Sequence, residues 1–161
     1  LMSNLIGLKA ADLDMVDTAG KPSPLYKLAA DYTLVVFWDP TCGHCKTELP
    51  RIDSIYRASW KKHGLKMYAV LSADAKDDLK KEWTKYIREH NMADWTNVYQ
   101  TKEMEAAIVD AKKPGFRQLY DITVTPTIYL LDKEKRIIGK KLTIEQLHEL
   151  LQVKWAPKPK Q

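Results

Sequence analysis

Residues 33–46 have the sequence TLVVFWDPTCGHCK, and this stretch decides the fold. Its first part, TLVVF, is a dense apolar run, which predicts a buried strand. After Lys46 the apolar residues recur at helical spacing, which predicts an amphipathic helix. The only two cysteines of the chain, Cys42 and Cys45, therefore lie where a strand is followed by a helix N-terminus. The apolar positions of that helix are Leu49, Ile52, Ile55, Tyr56 and Trp60.

A helix N-terminus favours a reactive thiol. The first backbone N–H groups of a helix have no partner within it, and the helix dipole adds positive potential at the same end. A thiolate is an anion, so a cysteine placed there is more reactive than an ordinary one. Two cysteines separated by two residues in a strand-to-helix context are typical of redox chemistry.

Other uses of the cysteine pair fit the residues less well. A structural disulfide between Cys42 and Cys45 would close a very short loop, and the entropic stabilisation by a disulfide grows with loop length. A four-cysteine zinc site needs a second pair, which the sequence lacks. Zinc can still bind Cys42, His44 and Cys45, but His44 lies between the cysteines, and adjacent side chains point in different directions.

Two segments carry a family resemblance: residues 42–50, CGHCKTELP, and residues 124–127, VTPT, which precede a second apolar strand. With them the chain resembles the thioredoxin superfamily, and within it the bacterial TlpA/ResA-like thiol-disulfide oxidoreductases. Glu48 and Pro50 stand in the places characteristic of that group. The resemblance extends over residues 7–151, nearly the whole chain.

The sequence departs from the family pattern at two positions. Thr41 stands where an aromatic residue commonly precedes the first cysteine, and Val36 stands where thioredoxin has a buried acid. Glu48 is therefore the candidate for an assisting acid. The Gly-His pair between the cysteines is similar to that of protein disulfide isomerase.

The resemblance implies a thiol-disulfide oxidoreductase acting on protein substrates. Cys42 is expected to attack the substrate disulfide and Cys45 to resolve the mixed disulfide. His44 is expected to stabilise the Cys42 thiolate, and Glu48 to exchange protons with the pair. No cofactor is implied beyond the Cys42–Cys45 disulfide itself.

The resemblance also implies a substrate-binding element. Thr125 and Pro126 match the cis-proline element, which lies beside the cysteines and offers backbone groups to an extended substrate. Trp38 is a further candidate for substrate binding because it can shield the site, although a tryptophan beside a core strand often only packs. An upstream redox partner is expected in addition to the substrate.

Composition and charge indicate an ordinary globular chain. With 45% hydrophobic and 29% charged residues and a net charge of +5, nothing points to nucleic acid binding. No apolar run is long enough to span a membrane. The chain starts without methionine and without a signal-peptide core, so we expect a piece of a longer protein whose targeting segment lies upstream. The TlpA/ResA-like group works outside the cytoplasm, in the periplasm or tethered to the membrane facing it.

The predicted fold is α/β, with a central mixed sheet covered by helices on both faces. We expect a single thioredoxin-like domain, residues 1–153, as a monomer. Residues 1–31 form an N-terminal extension with a β-hairpin, and residues 154–161 form a flexible basic tail. Two other functions stay open: a metal carrier that uses both thiols, and a thioredoxin-shaped interaction domain without catalysis.

Overall fold

The computed structural model of this chain describes residues 3–74, 76–157 and 159. In this part of the chain, six strands form one mixed sheet in the order β1-β4-β3-β2-β5-β6. The strands are β1 Val16–Asp17, β2 Tyr32–Trp38, β3 Leu65–Leu71, β4 Thr96–Tyr99, β5 Thr127–Leu131 and β6 Ile137–Lys140. The five α-helices are α1 Gly43–Ile55, α2 Asp77–Glu89, α3 Lys102–Asp110, α4 Phe116–Leu119 and α5 Ile144–Trp155.

The strand that precedes the cysteines, β2, lies inside the sheet. It pairs with β3 in parallel over seven residue pairs and with β5 antiparallel over five. Successive side chains of a strand point to opposite faces, so β2 contributes to two separate cores. Leu34, Val36 and Trp38 join one hydrophobic cluster, and Val35 and Phe37 join the other.

The two faces of the sheet are covered by different parts of the chain. Helices α1, α2 and α5 bury their apolar side chains on the face that contains Trp38 and Cys45. The opposite face is covered by α4 and by the N-terminal segment, through residues such as Leu13, Met15 and Leu25. The predicted mixed sheet with helices on both faces is therefore confirmed.

The N-terminal segment reaches the sheet through a tight turn and a short strand. Val16 bridges Pro22 across the turn, and the two residues of β1 pair antiparallel with β4. Leu13 and Met15, which alternate in the sequence like strand residues, are buried but lie ahead of β1. Tyr68 fixes the segment to the sheet because its hydroxyl donates to the carbonyl oxygen of Ser23 at 2.7 Å.

The helix after the cysteines changes its winding before it ends. Beyond α1 the chain continues as a π-helix, Tyr56–Trp60, and a 3₁₀ turn, Lys61–His63. Gly64 then ends it with φ of 80°, a left-handed conformation suited to glycine. A β-carbon at Gly64 would lie 2.2 Å from Oδ2 of Asp31, so the position also lacks room for a side chain.

The last helix begins with a capping box. The Thr143 hydroxyl accepts from the Gln146 N–H, and the Gln146 side chain accepts from the Thr143 N–H. Helix α5 extends to Trp155, whose ring stacks on His63 with centroids 4.1 Å apart. Lys154 and Trp155 thus belong to α5 and not to the predicted flexible tail, residues 154–161. That tail can begin only after Trp155. Its Lys158 and Lys160 lie outside the described residues.

Candidate active site

The turn between β2 and α1 is held by Asp39. Its Oδ1 accepts from the Thr41 N–H at 2.8 Å and from the Thr41 hydroxyl. Its carbonyl oxygen accepts from the Cys42 N–H at 3.2 Å. Short polar side chains that accept bonds from the backbone two residues later favour such turns. This local network fixes the position of Cys42 after the end of β2. No motif in the sequence had indicated a role for Asp39.

Cys42 caps helix α1 with its sulfur. Its Sγ accepts a hydrogen bond from the Cys45 N–H at 3.1 Å and donates to the carbonyl oxygen of Thr125 at 3.4 Å. The side chain is half-buried and its thiol is free. A helix N-terminus with an unpartnered N–H is where an anionic sulfur is favoured.

Cys45 has the opposite environment. It is fully buried, and burial raises the pKa of its thiol to about 12, with a further contribution from its hydrogen bond with Cys42. A thiol with so high a pKa is almost entirely protonated at neutral pH. The structure thus gives the two cysteines different access to solvent.

The cis-proline element lies against the cysteines. The Thr125–Pro126 peptide bond is cis, as the family resemblance predicts. Because Thr125 accepts the bond from Cys42 Sγ, the two segments separated by 83 residues meet at this sulfur. Val124, the preceding residue, is 69% exposed and projects an apolar side chain beside the site.

A cavity of about 440 Å³ opens beside the cis-proline element. His44 and Glu48 of α1 line one side, and Val124, Pro126 and Ile128 are among the residues that line the other. His44 is exposed. The cavity therefore joins two of the predicted site residues of α1 to the segment that contains Pro126.

Glu48 is engaged in an ion pair. Its carboxylate accepts from Arg51 Nη1 at 3.2 Å, and Arg51 Nη2 donates to Glu145 of α5 at 2.7 Å. The Glu48 side chain is only 16% exposed, whereas Arg51 and Glu145 are open to solvent. Hydrogen bonding to Arg51 holds the pKa of Glu145 below its usual range. The spacing from Glu48 to Arg51 is visible in the sequence, but nothing local indicates Glu145.

Trp38 lies beneath the site and has no exposed surface. Its indole packs on the Tyr86 ring with centroids 5.1 Å apart. This placement favours the packing role over the substrate contact that the sequence suggested. His148 of α5 is also partly buried, with its ring 6.3 Å from that of Trp60.

Two features are absent from the part of the chain that the structure describes. Among residues 3–74, 76–157 and 159, no three His, Cys, Asp or Glu side chains are grouped to hold one metal ion. No helix in the same residues has the length and apolar character required to cross a membrane.

The fold and the paired cysteines define a thioredoxin-like protein. Residues 6–140 match the AhpC/TSA family, and the chain belongs to that family. A curated "Thioredoxin-like protein" from Haemophilus influenzae is 29% identical over 103 residues, which are 64% of this chain and 50% of that protein. This chain thus matches about half the length of that curated relative.

Solved structures give the same class. A domain of a possible thiol-disulfide isomerase from Cytophaga hutchinsonii has a TM-score of 0.78 at 36% identity, covering 94% of this chain and 92% of that one. The thioredoxin domain of a thiol-disulfide oxidoreductase from Bacteroides vulgatus has a TM-score of 0.73 at 27% identity, covering 94% and 98%. The predicted place in the thioredoxin superfamily, with TlpA-like character, is confirmed, and these relatives support a thioredoxin-like redox function.

Proposed function

We propose that this protein is a thiol-disulfide oxidoreductase that exchanges disulfides with protein substrates through Cys42 and Cys45. One observation carries the proposal: the two sulfurs are placed unequally. Cys42 is half-buried at the helix N-terminus, and Cys45 is buried completely behind it. Such a division separates the thiol that meets the substrate from the thiol that reacts afterwards.

In the first step the Cys42 thiolate attacks one sulfur of a substrate disulfide. A bond forms between Cys42 Sγ and that sulfur, the substrate disulfide breaks, and the other substrate sulfur leaves as a thiolate. The Cys45 N–H, 3.1 Å from Cys42 Sγ, stabilises the attacking anion.

In the second step Cys45 resolves the mixed disulfide. Its thiol loses a proton, and its sulfur attacks Cys42 Sγ. The released substrate sulfur takes up a proton, and the protein is left with a Cys42–Cys45 disulfide. The same steps in reverse oxidise a substrate dithiol, and the relative reduction potentials decide the direction. The cysteines complete the cycle without a further cofactor.

The substrate chain docks beside Pro126 in this proposal. Thr125 and Pro126 border Cys42, and the exposed Val124 and the neighbouring cavity offer apolar contact to a side chain of the substrate. An extended peptide there would place its disulfide against Cys42 Sγ.

His44 and Glu48 tune the reaction in this proposal. His44 is exposed between the two cysteines and stabilises the Cys42 thiolate, which makes the disulfide form a stronger oxidant. Glu48 exchanges protons with the pair while mixed disulfides form and resolve. Its low exposure and its place three residues after Cys45 on α1 support this role.

The cellular setting is part of the same proposal. The protein acts as a monomer outside the bacterial cytoplasm, and an upstream thiol-disulfide partner restores its redox state. The thiol-disulfide names of the neighbouring bacterial structures support the thiol-disulfide chemistry of this setting.

The test is an insulin-reduction assay with dithiothreitol as reductant. The parent protein is expected to accelerate insulin precipitation, and the variant with both Cys42→Ser and Cys45→Ser is expected to be inactive. Cys45→Ser alone is expected to accumulate a mixed disulfide with insulin. Equal rates for the parent and the double variant would contradict the proposed exchange and leave the interaction domain and the metal carrier. Stoichiometric metal in protein purified under reducing conditions would favour the metal carrier.

A further inference from the structure

The hydroxyl of Tyr86 is buried without a hydrogen-bond partner among the described residues, 3–74, 76–157 and 159. Tyr86 belongs to α2, and its side chain is almost completely enclosed. A buried hydroxyl without a partner is costly and uncommon in folded proteins. The proposed reaction steps do not use this group, so its position calls for an explanation.

Tyr86 lies behind the buried cysteine. It shares one hydrophobic cluster with Cys45 and Leu49. It lines one small cavity with Lys46, the residue after Cys45, and a second cavity with Leu49, one helical turn after Cys45. Tyr86 therefore borders the part of α1 that presents Cys45.

Electrostatics connect the same two residues. Burial raises the pKa of Tyr86, and the negative charge of Cys45 raises it further. In the low dielectric of a protein interior a charge acts over several ångströms, beyond hydrogen-bonding distance. The Tyr86 phenol thus stays protonated and lies close enough to Cys45 to respond to its charge.

The Cys45 thiolate needs a hydrogen-bond donor inside the hydrophobic cluster. It must become a thiolate to resolve a mixed disulfide, yet it is buried and its pKa is about 12. The strand beneath it offers no acid, because β2 presents Leu34, Val36 and Trp38 to this cluster. A polar hydrogen that reaches the Cys45 sulfur would stabilise the anion inside this largely apolar cluster, in which the indole N–H of Trp38 is likewise without a partner among the described residues.

We propose that the Tyr86 hydroxyl donates a hydrogen bond to the Cys45 sulfur as that sulfur becomes anionic in the resolving step. The inference rests on the proposed disulfide exchange and assigns it one further residue. Tyr86 keeps its proton throughout. Cys45 gives its proton up toward the released substrate sulfur, the bond between Cys42 and the substrate breaks, and the Cys42–Cys45 bond forms.

The test uses the aromatic disulfide dithiobis(2-nitrobenzoate) as the substrate. It separates the attack by Cys42 from the resolving attack by Cys45. Attack by Cys42 releases one thionitrobenzoate, and attack by Cys45 on the mixed disulfide releases the second. Tyr86→Phe removes only the hydroxyl. The first release is expected at the parental rate and the second roughly tenfold slower, the scale of one lost hydrogen bond to a charged group.

Tyr99→Phe is the matched control, since Tyr99 is equally enclosed in the same cluster but packs on Trp83. It is expected to leave both releases unchanged. A parental second release in Tyr86→Phe, or an equal slowing of both, would overturn the inference. So would a clear fall in the thermal midpoint of reduced Tyr86→Phe, because it would mean that the hydroxyl has a structural partner. A parent protein that never gives the second release would instead contradict the proposed exchange itself.

Discussion

The sulfur of Cys42 lies 3.4 Å from the carbonyl oxygen of Thr125. The first residue belongs to the start of α1, and the second precedes the cis bond to Pro126. This contact joins the two segments that carry the family resemblance, residues 42–50 and residues 124–127. A peptide bound along residues 124–126 would meet the thiol without any rearrangement of the backbone.

Cys42 is expected to be alkylated much faster than Cys45 in the reduced, folded protein. Cys45 is fully buried, and its thiol has a pKa of about 12, so it is neither accessible nor ionised near neutral pH. Peptide mapping after limiting iodoacetamide measures the ratio. Protein unfolded in urea serves as the control and should lose the preference. Faster labelling of Cys45 in the folded protein would reverse the two roles.

Replacement of His44 by proline is expected to make the disulfide more reducing. The change removes a group that stabilises the Cys42 thiolate and with it the dithiol form. A shift of ~30 mV corresponds to ~1.4 kcal/mol for a two-electron couple, so equilibration with glutathione measures it easily. Thr47→Ala, a change at an exposed residue of the same helical turn, should leave the reduction potential of the disulfide unchanged. A more oxidising His44→Pro protein would contradict the role given to His44.

Glu48→Gln is expected to slow disulfide exchange while the fold stays intact. Exposed ion pairs contribute about 1 kcal/mol or less, so loss of the Arg51 contact should barely lower stability. Loss of a proton-exchanging group slows a reaction by roughly a hundredfold in typical cases. Insulin reduction and urea unfolding measure the two effects.

Glu145→Gln is the matched control for that experiment. It breaks the outer contact to Arg51 and leaves the Glu48–Arg51 pair in place. Its exchange rate should equal that of the parent protein. If Glu48→Gln also exchanges at the parental rate, Glu48 is a structural residue of the helix surface.

The resolving step is expected to accelerate with pH. Below a pKa of about 12 the thiolate fraction of Cys45 rises about tenfold per pH unit. The second thionitrobenzoate release should therefore rise steeply and without a plateau between roughly pH 6 and 9, and the first release is the internal reference. A plateau of the second release within that range would show that burial does not raise the pKa of Cys45.

Gly64→Ala is expected to destabilise the fold by about 1–2 kcal/mol, the cost of a left-handed conformation for a residue with a β-carbon. The contact with Asp31 adds to this cost, since the new β-carbon would lie 2.2 Å from its Oδ2. Urea unfolding measures the loss, and Asp31→Ala should recover the contact part of it. Gly115→Ala is the control, because Gly115 has negative φ and open space around its α-carbon. A stable Gly64→Ala protein would mean that the turn rearranges.

Local patterns predicted the elements that carry the cysteines. The passage from β2 to α1 follows from the apolar run of residues 33–37 and from the helical spacing of the apolar residues after Lys46. These features depend on residues only a few positions apart, so a single sequence contains the necessary information. The mixed sheet with two covered faces followed from their order along the chain.

Long-range packing could not be predicted in the same way. The contact from Arg51 to Glu145 joins residues 94 positions apart, and it depends on how α5 docks beside α1. The same holds for Tyr86, because helical spacing alone does not indicate which buried side chain it approaches. The π-helix at Tyr56–Trp60 also has no local signature, because its apolar residues continue the α-helical pattern.

Because of the turn at Asp39, the number of residues between Trp38 and Cys42 is more constrained than their chemical type. On one side Trp38 is fixed in the sheet, where its carbonyl oxygen accepts from the Ser72 N–H at 2.8 Å, and on the other Cys42 is fixed to the Asp39 carbonyl oxygen. A residue inserted between Trp38 and Cys42 would carry the sulfur away from Thr125, whatever its chemical type. Variation among descendants of this sequence should therefore accumulate here as exchanges of residues, and insertions or deletions should be confined to exposed connections such as residues 111–115.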